Sequence, residues 1–128
     1  MRAIRSATIL GLLLASATGV VDEATFTEQQ ICRATIATIM HKDVSIVSAS
    51  GEGVIAVSYR SDSLQKFKCR LEGARVMWGS ADGRWRNHSL DEKVMWEAIG
   101  DTLVIRQPWS DGSLTEDEFS KDQLLVEQ

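Results

Sequence analysis

The chain has 128 residues, a formal net charge of −4 and 44% hydrophobic residues. That length suits one ordinary domain with one core. The acidic balance makes the protein as a whole a poor match for nucleic acid or an anionic membrane surface.

The first seventeen residues read as an address. Met1-Arg2-Ala3-Ile4-Arg5 is a short basic start, the run from Ala7 to Leu14 is apolar, and Ala15-Ser16-Ala17 supplies small residues where a signal peptidase cuts. The stretch is too short and too interrupted for a spanning helix, which needs about 20 apolar residues. We therefore expect residues 1–17 to be a secretory signal peptide, cleaved within a few residues of 17. The mature protein is then periplasmic or secreted, with no stable membrane insertion. Residues 18–26 form a leader, 27–119 a single helix-plus-sheet domain, and 120–128 a flexible tail.

Thr27 is the expected N-cap of a helix from about 28 to 40 or 41. Gln30 completes a capping box, and Phe26 and Ile31 stand at the hydrophobic-staple positions. Cys32, Ile36, Ile39 and Met40 form one apolar stripe, flanked by Arg33, Ala34, Thr35, Ala37 and Thr38. After residue 43 the period falls to two. Residues 44–48 and 54–59 read as a hairpin around Ser50-Gly51-Glu52-Gly53.

The clearest strand is residues 66–72. Phe67, Cys69 and Leu71 alternate with Lys66, Lys68, Arg70 and Glu72, apolar inward and charged outward. Cys32 and Cys69 are thus placed on buried faces by separate arguments. They are the only two cysteines, so an oxidising compartment joins them in one bridge. In the chain-entropy description a loop of this length contributes roughly 4 kcal/mol.

Residues 75–78 follow Gly73 as another strand, 79–83 as a loop, and 84–88 as a short strand or loop. Residues 94–99 and 102–106 flank a tight turn at Gly100-Asp101. Pro108 ends that strand or sets it on an edge. Ser110-Asp111-Gly112-Ser113 is a turn, and 114–119 a last edge strand. Connections this short exclude parallel crossovers. The expected fold is α+β: one N-terminal helix on a mostly antiparallel meander of six to eight short strands. The alternative is a small β-barrel plugged by the helix.

No catalytic set is evident. His41 and His88 are the only histidines, and no G-x-S-x-G, metal-ligand spacing or phosphate loop occurs. No cofactor or metal is therefore expected. A small hydrolase or isomerase would have to use His88 with Asp91 or Glu92.

Aromatic and basic residues are the better lead. Trp78 and Trp96 read as core. Arg84-Trp85-Arg86 and Trp109 are candidates for a stacking surface, and Lys66, Lys68 and Arg70 for a charged sheet face. Strand geometry would set Trp85 opposite both arginines, whereas a loop would let all three meet a ligand. Charge is also divided along the chain. Residues 60–93 carry eight basic and five acidic groups; residues 97–128 carry two and eight. The pattern favours an exported, non-enzymatic interaction module with a protein partner, as an inhibitor or a subunit of an envelope assembly. The alternative is a glycan or small-ligand binder using Trp85 and Trp109.

Overall fold

A computed structural model describes residues 26–88 and 91–125. The expected signal peptide, its expected cleavage site and most of the expected leader lie outside the described residues.

Helix α1 spans Glu28–Met40. The Thr27 hydroxyl accepts the Gln30 N–H at 3.1 Å, and the Gln30 side chain accepts the Thr27 N–H at 2.9 Å. This reciprocal pair satisfies two of the donors that every helix start leaves open. The helix ends at His41, whose left-handed backbone (φ 58°) lets its N–H and that of Lys42 return to Thr38 and Ala37 carbonyls.

Where a strand was expected from residue 44, Val44–Ile46 form a single 3₁₀ turn. The Asp43 carboxylate accepts the Ser45 N–H at 2.9 Å, and that local bond competes successfully with strand pairing. Seven strands follow: β1 (Ser48–Ser50), β2 (Ile55–Arg60), β3 (Leu64–Glu72), β4 (Arg75–Ser80), β5 (Val94–Ile99), β6 (Thr102–Pro108) and β7 (Leu114–Ser120). Each pairs antiparallel with its chain neighbour, giving the order β1-β2-β3-β4-β5-β6-β7. The sheet curls into a half-barrel that runs, among the described residues, from β1 to β7. Residues 84–88 form no strand.

Alternation decides what is buried. The inner face carries Ile55, Val57, Phe67, Cys69, Val76, Val94, Leu103 and Ile105, which share one apolar cluster with Ile31, Cys32 and Ile36 of α1. Cys32 and Cys69 are bonded, with their Cα atoms 6.0 Å apart.

α1 is buried on more than its apolar stripe. Arg33 is only 2% exposed. Its Nε donates to the Val47 carbonyl at 2.7 Å, Nη1 to Leu124 at 2.9 Å and Nη2 to Val44 at 3.0 Å. A buried guanidinium is costly unless its donors are matched. Here they join α1 to the 3₁₀ turn and to a second short helix, α2 (Lys121–Leu125). That helix occupies residues 121–125 of the stretch expected to be a tail, and residues 126–128 lie outside the described residues. Ser120 and Gln123 form a reciprocal cap, at 3.1 and 3.0 Å, and Leu124 is buried.

Candidate interaction surface

Residues opposite each other in an antiparallel ladder point to the same side. Because Cys69 faces inward, the partners of its neighbours define the outer face. Ser48, Ser58 and Lys66 form one row across β1–β3. Ser50, Ala56, Lys68 and Gly79 form the next, across β1–β4. Beyond them, Arg70 stands opposite Met77, and Glu72 opposite Arg75.

Gly79 is the position on which the site depends. β4 pairs with β5 only through Arg75–Met95 and Val76–Val94, so the far half of β4 lacks a strand partner from β5. The segment following β4 folds back over it. Arg86 N–H donates to the Trp78 carbonyl at 2.6 Å. A Cβ added at Gly79 would lie 2.3 Å from the Arg84 carbonyl oxygen and 3.4 Å from the Trp85 Cα. Glycine is therefore required by close backbone approach, since any side chain would push the segment off the sheet.

That approach lays Trp85 across the basic row of β3. The Lys68 Nζ is 4.8 Å from the indole centroid and the Arg70 guanidinium carbon 4.6 Å. Both are cation–π distances. Lys68 also donates to the Gly83 carbonyl, and Arg70 pairs with Glu72 at 2.9 Å. Lys66 is exposed beside a groove of about 360 Å³ floored by Ser48, Ser50, Ala56 and Ser58.

Asp91 holds the segment closed. Its oxygens accept both terminal nitrogens of Arg84 at 3.0 Å, the His88 backbone N–H at 2.9 Å, and Arg86 Nε at 3.4 Å. The forked Arg84 contact holds the carboxyl well below the usual carboxylate range, with help from the His88 N–H and the Arg86 charge. Arg86 also lies over the Trp78 ring, 5.1 Å from its centroid.

The structure thus brings Trp85 against Lys68 and Arg70, with Lys66 on the next row and Arg84 and Arg86 joined through Asp91, but it does not form a free stacking platform. The segment is a loop and not a strand, with Trp85 against β3. Arg84 and Arg86 are both committed to Asp91. Trp109 stands at the end of β6, 38% exposed, with its Nε1 donating to Thr115 Oγ1 at 2.8 Å. No ring contact joins it to Trp85 among the described residues. A hollow of about 250 Å³ lies between Trp109 and the Asp91–Glu92 turn.

Two residues that shape the site carry no such signal in the sequence. Gly79 reads as loop, and only the register shows it as part of β4. Asp91 reads as an acid or base, whereas its carboxylate is engaged by arginines. Among the described residues no group of three His, Cys, Asp or Glu could hold a metal ion, and no helix is long and apolar enough to cross a membrane. The disulfide fits an oxidising compartment. The chain matches no family model, no curated protein and no solved structure.

Proposed function

We propose that the protein is an exported, non-enzymatic interaction module that binds a protein partner through the outer face of its sheet. The observation that carries this reading is the row Lys66, Lys68 and Arg70 on β3, with Trp85 laid across it and held by the Arg84–Asp91–Arg86 latch. A fixed aromatic among cations, beside a floor of small residues, is a preorganised surface for a partner with carboxylates. Fixing the loop beforehand lowers the ordering cost of association. The role is that of an inhibitor or of a subunit in an envelope assembly.

Glycan or small-ligand binding is the second reading. It is favoured at Trp109 alone, where a half-exposed indole borders the hollow by Asp91 and Glu92.

Affinity capture from envelope and secreted extracts tests the proposal, with wild type and Lys66→Glu/Arg70→Glu as baits. The expected result is a protein held by wild type at low salt, released at high salt and absent from the variant. Equal recovery by both baits would overturn it.

A further inference from the structure

The outer face of β1–β4 is paved with small side chains. Ser48, Ser58 and Lys66 share one register row. The Ala81 N–H donates to the Lys66 carbonyl at 3.1 Å, which carries that row past the end of β4. Ser50 and Ala56 continue the floor on one side, and Leu64 stands opposite Arg60 on the other. The long side chains of β3 rise from this floor, and the space beside them is the groove of about 360 Å³. The segment after β4 lies over Gly79, one row away, and only its Ala81 borders the groove.

The charge of the groove is one-sided. Lys66 lines it, Arg60 stands on the next row, and both are exposed. Among the described residues neither joins an ion pair, in contrast to Arg70, Arg84, Arg86 and Arg106. No Asp or Glu is among the residues that line the groove. Leu64, 44% exposed, supplies an apolar wall.

The groove has the length of a short stretch of chain. From β1 to the end of β4 are three strand spacings of about 4.8 Å, or about 14 Å. An extended chain rises about 3.3 Å per residue, so about four residues cross it.

We infer that this groove seats an extended acidic segment of the partner, with a carboxylate at Lys66 and Arg60 and an apolar side chain against Leu64. The inference rests on the interaction-module reading and names the part of the partner that docks. A floor of small side chains lets a main chain come close, and the hydroxyls of Ser50 and Ser58 can serve its peptide groups. The two cations without ion pairs supply the charge that an acidic segment complements. A basic or neutral segment would leave both without a counter-charge. A small anion would engage Lys66 and leave most of the 14 Å length, by the spacing above, unused. Ordering an extended segment costs conformational freedom, so the segment alone binds weakly and is sensitive to salt.

Amide chemical-shift titration of the isotope-labelled protein tests this. The probe is a blocked hexapeptide with two central aspartates preceded by a leucine. The controls are the same peptide with both aspartates replaced by asparagine, and acetate at equal carboxylate concentration. The aspartate peptide should shift the amides of Ser48, Ser58, Lys66 and Ala81 at low salt. The asparagine peptide should bind at least about threefold more weakly. Lys66→Glu should weaken the aspartate peptide at least about tenfold, with Lys66→Arg close to wild type. The amide spectrum of each variant checks that it folds. Shifts centred elsewhere, an asparagine peptide that binds as tightly, or acetate that reproduces the same shifts would overturn the inference, the last by showing a site for free anions. The capture result is read separately. A partner lost from the Lys66→Glu/Arg70→Glu bait, with no peptide response, leaves the interaction module standing and removes only the acidic segment. A peptide response with equal recovery by both baits removes the module reading instead.

Discussion

Replacing Arg33 by Met should destabilise the domain more than any other single change to α1's polar residues. The methionine keeps a flexible stem in the same space and removes the guanidinium. Three buried carbonyls then lose a donor: Val44, Val47 and Leu124. The Val44 carbonyl still accepts the Val47 N–H at 3.1 Å, so the loss falls mainly on Val47 and Leu124. At about 1–3 kcal/mol for each stranded group, the cost is about 2–6 kcal/mol. No longer burying a charge returns part of this, so the net expectation is about 2–4 kcal/mol. Against a typical domain stability of about 5–15 kcal/mol, that is a large share. Arg33→Lys should lie near Arg33→Met, since one ammonium cannot serve three divergent carbonyls. In urea, followed by tryptophan fluorescence, the midpoint should fall by on the order of 1–2 M with an unchanged slope. A methionine variant within about 0.5 kcal/mol of wild type would show that the guanidinium does not hold the three segments together.

Three further outcomes are expected. Cys32→Ala/Cys69→Ala opens a loop with a sequence separation of 37. It should cost roughly 4 kcal/mol and lower Tm by roughly 15–30 °C; a shift of a few degrees would contradict the core placement of the bridge. Gly79→Ala should push the backbone at Arg84 off the sheet and change Trp85 emission, and an unaltered spectrum and Tm would refute the close approach. Asp91 titrates well below the usual carboxylate range, so its folded form is the lowered one. Its contribution is then complete above a pH of about 4 and is lost as pH falls toward the folded-state value. Loop 81–88 should stay closed at pH 5 and open only in stronger acid, as read by Trp85 quenching. Opening between pH 7 and 5 would refute the Asp91 latch.

The elements that the sequence announces are those with a periodic or capping signal. Thr27 and Gln30 fix the start of α1, alternation from Phe67 to Leu71 fixes β3, and Gly100-Asp101 fixes the β5–β6 hairpin. The Cys32–Cys69 bridge follows because each cysteine shares a face with apolar neighbours. What escapes is set by contacts distant in the chain. Arg33 sits on a polar-looking flank, and nothing local shows that Val47 and Leu124 come to it. The α2 cap was hidden in a short polar stretch. In the site, Lys66, Lys68 and Arg70 were legible as an outward row. The placing of Trp85 over them needed the β3–β4 register and the absence of a side chain at Gly79.

The most direct test of the interaction surface is a lysine acylation footprint, read by mass spectrometry, on the free protein and on its captured complex. Lys66 and Lys68 should lose reactivity on binding, while Lys42 and Lys121, away from the outer face, keep theirs. Protection of Lys42 or Lys121 with Lys66 and Lys68 unchanged would place the partner elsewhere and contradict the account.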